Sequence, residues 1–558
     1  MSTLIRIAGR VFGLPRPRTR RVRGHRGLTV PMRDGVALKA DHFAPWPRPG
    51  PTVLMRTPYG RGFVLRVLAT SIAAQGFHVV LQSCRGTYDS GGVFEPMRHE
   101  REDGLDTVGW LRGQPWYSGE LCTYGPSYAG FVQWALAAEA GPDLKAMATI
   151  ATAADFRDST YAGGAFSLDV VLTWAALLSA QRGSRLANLV EAGRGQPKLR
   201  RGLAHLPLRE ADVVATGEEI AFLRDWLAQP GADYWDQRGH ASRRAAVTAP
   251  VLMVGGWHDI FLPWQLDDYA ALRAAGARPR LTIGPWTHGS FGLLRQSLVE
   301  SVGWFHQHTG DALHQYTGGA YTGDGKVRPR RAPVRVYVGG ARVWREFEDW
   351  PPDDARARDW FLSPGGELAG HPPQLGAAPT RFRYDPADPT PSVGGPRLLA
   401  GGAGSLDNRD LEARPDVLTF TTAPLRQPVT ALGPVSATIY ARASGDHFDI
   451  FVRLCDVTTS GRSWNLCDGL VRVSPGRFPA DASGVRAVRV DLWPTAHLFR
   501  PGHRIRVQVS GGAHPRFARN TCTGEPLATA TRLLPVDVEV FGDPRYPSAL
   551  RLTEDGQG

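Results

Sequence analysis

From Leu28 onward the apolar residues fall into short runs that alternate with polar ones at the two-residue period of strands. Leu28 to Val30 and Ala37 to Asp41 flank Asp34-Gly35, and an Asp-Gly pair between alternating runs predicts a β-hairpin. Compact β-rich runs follow at Thr52 to Arg56, His78 to Gln82, Leu121 to Tyr124, Met147 to Ala151, Val251 to Gly255 and Leu281 to Gly284. Between the first four lie stretches of helical spacing, around Gly62 to Gln75, His99 to Arg112 and Tyr128 to Ala140. Strands alternating with helices of this length predict a mostly parallel sheet covered on both faces.

The alternation breaks from 153 to 245, where Ala, Leu, Arg and Trp recur at helical spacing, as in Leu168, Val171, Leu172, Ala175 and Leu178. A helical insertion between two strands of a parallel sheet is most simply a cap over the sheet's carboxyl edge. After Arg330 the texture changes to alternating runs separated by Gly and Pro. Val334 to Val338, Val435 to Tyr440, Asp449 to Cys455, Arg504 to Ser510 and Val536 to Phe541 together predict an antiparallel sandwich or jelly roll. The expected division is an arm at 1–27, an α/β core at 28–152 and 246–329, a helical cap at 153–245 and a β domain at 330–558.

Charge changes this picture less than its total suggests. The formal +12 is concentrated at one end, because residues 1–30 hold eight arginines and no acid, which leaves +4 for the other 528 residues. A near-neutral body calls for no nucleic-acid partner. The arm reads as a disordered tail or a weak attachment of Leu4 to Leu14 to an anionic membrane surface. No run of 18 consecutive apolar residues predicts a spanning helix, and the arm's charge follows its apolar residues, contrary to the order of an export signal. Five cysteines, Cys84, Cys122, Cys455, Cys467 and Cys522, stand at no metal-ligand spacing and suit free thiols in a cytoplasmic protein, although Cys455 and Cys467 could face each other across a hairpin. His306, His308 and His314 read as a solvated helix face rather than a metal cluster, so no metal is expected.

The candidate chemistry begins at Tyr124-Gly125-Pro126-Ser127-Tyr128-Ala129-Gly130, which joins a short strand to an apolar helix. A sharp strand-to-helix turn flanked by small residues presents a serine oxygen at the sheet edge beside backbone N–H groups. Taken alone, Ser127 also reads as a helix cap. In the chain order serine, acid, histidine, Asp259 follows Val251 to Gly255 and His288 follows Leu281 to Gly284, each four residues past a predicted strand end. Sites in open α/β sheets form outside the carboxyl ends of strands, where these three segments meet. Asp259 as a turn residue and His288 as a loop histidine are the plain alternatives. His258 is a rival base, but it directly precedes the candidate acid, and adjacent side chains rarely point at one another.

An ordered series of segments resembles the cocaine esterase and Xaa-Pro dipeptidyl-peptidase family, the CocE/NonD type of α/β-hydrolase. The residues that carry the resemblance are Arg56-Thr57-Pro58-Tyr59, Arg85-Gly86-Thr87, Gln114-Pro115-Trp116, Gly125-Pro126-Ser127-Tyr128, Gly256-Trp257-His258-Asp259, Gly284-Pro285-Trp286-Thr287-His288, Phe347-Glu348-Asp349-Trp350-Pro351-Pro352 and Pro515-Arg516-Phe517-Ala518-Arg519-Asn520. The resemblance implies an α/β-hydrolase core with a helical cap and a galactose-binding-like jelly roll, the latter structural or pocket-lining rather than sugar-binding. It implies Ser127 as nucleophile, His288 as general base, Asp259 as its orienting acid, and an oxyanion hole made by the Tyr128 backbone N–H and the Tyr59 hydroxyl, with no cofactor. Tyr161, Phe166, Trp174 and Phe261 are candidate pocket walls, and core packing serves Tyr161, Phe166 and Trp174 equally well.

Two departures bear on function. Ser83 replaces the acid the family usually has before the Arg-Gly pair. After Asp259, where relatives acting on α-amino acid esters have acids for the substrate ammonium, this chain has Ile260, Phe261 and Leu262. The expectation is a serine hydrolase of small esters or amides with an apolar acyl group, and the alternative is an Xaa-Pro-type dipeptidyl-peptidase. Oligomeric state is left open, a homo-oligomer included.

Overall fold

The computed structural model describes residues 2–19, 21–45, 50–180, 197–309, 320–321, 327–328, 330–374, 376, 378–399 and 401–556. Its first layer is built from α1 (Ser2–Phe12), β1 (Val22–Pro31), β2 (Ala37–Pro45), β3 (Thr52–Thr57), α2 (Phe63–Ala73), β4 (His78–Ser83), α3 (Glu100–Arg112), β5 (Leu121–Pro126), α4 (Tyr128–Ala137) and β6 (Leu144–Ile150). After the helical insertion, which includes α5 (Leu168–Ala180), come β7 (Val251–His258), α6 (Leu262–Ala274), β8 (Arg280–Thr287), α7 (Phe291–His308), β9 (Val334–Val338) and β10 (Val343–Phe347).

These ten strands form one sheet in the order β1-β2-β4-β3-β5-β6-β7-β8-β9-β10. β3 to β8 run parallel, whereas β1, β2 and β10 are antiparallel additions at the edges. β3, β4 and β7 are buried along almost their whole length, as expected of a sheet with helices on both faces. The Asp34-Gly35 hairpin pairs Val30 with Leu38, so both side chains enter the core.

β9 and β10 extend the first sheet. Their alternation predicted the opening of the second domain, but β9 pairs in parallel with β8, and Val334, Val336 and Val338 bury against it. The second sheet begins at Arg356–Ser363 and runs to Ala549–Glu554, and among the described residues it has eleven strands, antiparallel apart from one short parallel contact, Glu367 with Thr421. It meets the first unit at Trp493, whose ring lies 6.0 Å from Trp264, and the connection before it packs Trp350 on Trp257 at 5.5 Å.

The arm is also corrected. Val22 opens β1, so Arg23 and Arg26 belong to a strand of the main sheet. α1 is a docked helix: Ala8 and Phe12, one helical turn apart, and Leu14 just beyond it bury in the same core as Leu68 and Ile72 of α2 and Leu298 and Val302 of α7. The histidines of α7 are not a solvated face. His306 is buried against Phe77 at 4.5 Å and His308 packs on Trp304 at 4.2 Å, while His314 lies outside the described residues. All five cysteines are free and buried, Cys455 lying opposite Asn465 and Cys467 opposite Leu454.

Candidate active site

β5 ends at Pro126 and α4 starts at Tyr128, so Ser127 alone makes the connection. Its backbone sits at φ 57° and ψ −128°, a conformation that costs a residue with a Cβ about 1–3 kcal/mol. Two glycines permit so tight a return. A Cβ on Gly125 would lie 2.5 Å from the Ala129 Cβ, and one on Gly130 would lie 2.4 Å from the Thr152 Cγ2. The Ser127 N–H donates to the Ile150 carbonyl at 2.8 Å, which ties the turn to β6.

Asp259 and His288 stand immediately after β7 and β8, because both strands run longer than their apolar cores suggested. The His288 Nδ1 lies 2.9 Å from the Asp259 Oδ2. Asp259 is fully buried, and its Oδ1 accepts the Phe261 N–H at 2.8 Å, so the carboxylate is fixed from both ends. His258 faces away, into the space between the two sheets beside Trp257 and His497, where burial holds its imidazole down to about 4.

Tyr59 follows β3 by two residues. Its hydroxyl accepts the Trp174 indole N–H at 3.1 Å, and Tyr59 and Ser127 line the same cavity. Burial pushes this phenol up to about 12, so it keeps its proton at neutral pH. Because the indole can only donate, it occupies an acceptor position on the hydroxyl and leaves the phenolic proton for the Ser127 side. Tyr128 opens α4, so its backbone N–H has no partner within the helix. The Tyr128 phenol is anchored deeper, accepting the Met97 N–H at 2.7 Å and donating to Glu100 at 2.9 Å. Glu100 in turn pairs with the buried Arg56 at 2.8 Å, which locks the start of α4 to β3. Ser83, the departure noted above, accepts from Arg61 at 2.7 Å, and the carboxylates that hold this arginine come from Asp41 and Asp89.

Above Ser127 lies a narrow cavity of about 60 Å³. Tyr59, Tyr128, Trp174 and Phe261 line it, as do Ile260 and Phe156. Tyr161 and Phe166, expected among the walls, are a correction. Phe166 is fully buried, and Tyr161 packs on it at 5.9 Å and donates its hydroxyl to the Trp226 carbonyl at 2.6 Å, so both serve the core of the insertion. The second domain adds walls no local pattern announces, chiefly Leu398, Trp493 and Phe517. Arg516 is the one charged lining residue among the described residues, and it is paired with Asp468. No carboxylate is among these lining residues.

Residues 34–290 match the model of the X-Pro dipeptidyl-peptidase (S15) family, and residues 326–550 match that of the X-Pro dipeptidyl-peptidase C-terminal non-catalytic domain. The chain is 32% identical to cocaine esterase of Rhodococcus sp. (strain MB1 Bresler), over 90% of this chain and 93% of that protein. Among solved structures it is similar in fold to an aminopeptidase from a marine sediment Thaumarchaeota archaeon, with TM-score 0.78, 24% identity and 96% of each chain covered. It is also similar to an α-amino acid ester hydrolase, with TM-score 0.75, 23% identity and 96% of each chain covered.

Proposed function

Because the chain belongs to the cocaine esterase and X-Pro dipeptidyl-peptidase (S15) family of serine hydrolases, we propose that it cleaves small esters or amides of apolar acids through an acyl-enzyme on Ser127. The observation that carries the acyl preference is the lining of the cavity above Ser127, mostly apolar, with Arg516 paired to Asp468 and no carboxylate among the described lining residues. A substrate with a free ammonium would there lose its hydration and find no counter-charge. In this reading the Ser127 Oγ attacks the carbonyl carbon and its proton passes to His288. Asp259, 2.9 Å from the Nδ1, keeps that nitrogen protonated and stabilises the imidazolium. The developing oxyanion accepts from the Tyr59 hydroxyl and the Tyr128 N–H. His288 then protonates the leaving alcohol or amine, and water releases the acid by the same steps.

The test compares kcat/KM on p-nitrophenyl esters of short apolar acids with that on Xaa-Pro p-nitroanilides. The ester is expected to be turned over faster, and a preference for the anilides would overturn the reading in favour of a peptidase. The five free, buried cysteines support a reducing compartment such as the cytoplasm.

Tyr59→Phe keeps the phenyl ring and removes one oxyanion donor, together with the acceptor of the Trp174 indole N–H. It is expected to lower kcat roughly 10²–10³-fold with little change in KM. Wild-type turnover in this variant would remove Tyr59 from the mechanism.

A further inference from the structure

Seven large apolar side chains are more than half exposed among the described residues, and their distribution is not scattered. Phe63 and Val64 open α2, and Phe291 opens α7. Tyr88 and Val93 lie in the loop after β4. All five therefore stand where the chain leaves the carboxyl ends of β3, β4 and β8, the edge that also holds Tyr59 and His288. Phe94, next to Val93, lies 5.9 Å from Tyr128 and 6.4 Å from Trp174, both walls of the cavity over Ser127. The remaining two, Ile7 and Val11, lie on α1, which rests on α2 and α7, and Phe12 of the same helix is 6.1 Å from Phe291.

α1 carries more apolar surface than the fold uses. Ala8 and Phe12 take the buried stripe, while Ile7 and Val11, also four residues apart, form a second stripe left at 54% and 51% exposure. Arg10 is exposed on the same helix and Arg16 just beyond it, whereas the exposed Arg21 and Arg26 lie just before and within the opening half of β1, toward the other edge of the sheet. This part of the chain contributes no acid. The acids of the neighbouring rim are engaged, Asp89 with Arg61 at 2.8 Å and Glu95 with Arg238 at 3.7 Å.

We propose that this face docks on a lipid bilayer bearing anionic headgroups and brings the mouth of the Ser127 cavity to apolar esters dissolved in that bilayer. Arg10 beside the exposed Ile7 and Val11 of α1 is complementary to headgroup charge, as that stripe is to the acyl boundary. A nucleic acid or another dissolved polyanion would engage the arginines and gain nothing from Ile7, Val11, Phe63 or Phe291. The docking half stands on the surface alone, whereas the delivery half rests on the esterase reading of Ser127.

The experiment uses the full chain with vesicles of phosphatidylcholine, pure or with one part in three of phosphatidylglycerol, read by co-sedimentation. The expected result is binding to the anionic vesicles, weakened by salt, and little to the neutral ones. An Ile7→Ser, Val11→Ser variant and an Arg10→Glu, Arg16→Glu variant are each expected to lose about tenfold or more in partitioning. Both should turn over a soluble p-nitrophenyl ester as the wild type does, since all four residues are exposed and remote from the reacting atoms. Absence of vesicle binding, or equal binding to neutral vesicles, overturns the proposal. So does binding to duplex DNA that matches the anionic vesicles and ignores the Ile7, Val11 change. A dimer in sedimentation velocity that this change dissociates would assign the stripe to a second copy and overturn it as well. If the soluble ester is not turned over at all, the esterase reading fails while the vesicle result still decides the docking surface.

Discussion

Ser127→Ala is expected to lower kcat on a p-nitrophenyl ester by about a million-fold, the scale on which removal of a serine nucleophile abolishes its base's contribution too. The same change should abolish labelling by a fluorophosphonate, which forms its bond to the activated Oγ. Retention of labelling, or loss of only a few-fold in rate, would remove Ser127 from the role proposed for it. The backbone supplies a companion result that a loss of folding could not imitate. With φ at 57°, the residue is strained by its Cβ, and alanine keeps that Cβ whereas glycine does not. Ser127→Gly is therefore expected to be as inactive as Ser127→Ala yet more stable by about 1 kcal/mol, measured as a higher urea midpoint. An inactive variant that is better folded than its alanine counterpart locates the defect in the hydroxyl and the strain in the turn that presents it.

Local chemistry explains which parts of this site were legible in the sequence. The Gly125 and Gly130 flanks, the strand before Ser127 and the apolar helix after it are contiguous, so the turn could be read from seven residues. The order of serine, acid and histidine followed from topology, since β5, β7 and β8 all end on one edge. The layer that β9 joins is not legible in the sequence, because Val334, Val336 and Val338 alternate in the same way whichever sheet they enter. The pocket was legible only in part. A helical insertion can lie over the sheet at many angles, and the angle decides that Trp174 and Phe156 reach the cavity while Phe166 turns into the core. Trp493 and Phe517 come from another domain, and no periodicity within their strands or loops tells of a cavity more than two hundred residues away in sequence. α1 was hidden by its own neighbours. The arginines around it dominate the composition, although Ala8 and Phe12 already stood at the spacing of a packed face.

Asp259→Asn should separate the geometry of this site from its electrostatics. The side chains are nearly isosteric, and the Asn Oδ1 can go on accepting the Phe261 N–H that Asp259 accepts at 2.8 Å. Position and fold are thus preserved in a fully buried site. The amide group toward His288, however, donates where the carboxylate accepted across 2.9 Å. An imidazole nitrogen facing an N–H donor must itself be the acceptor, so the ring proton moves to the nitrogen facing Ser127. The base then presents a proton to a hydroxyl whose own proton it should remove. The expected cost is about ten-thousand-fold in kcat at neutral pH with KM little changed, measured on the same p-nitrophenyl ester. A loss confined to a few-fold would mean that Asp259 only positions the loop after β7 and that the tautomer of His288 is fixed by another group. A collapse in stability with the lost rate would likewise count against the tautomer argument, because asparagine satisfies the one backbone N–H that depends on this side chain.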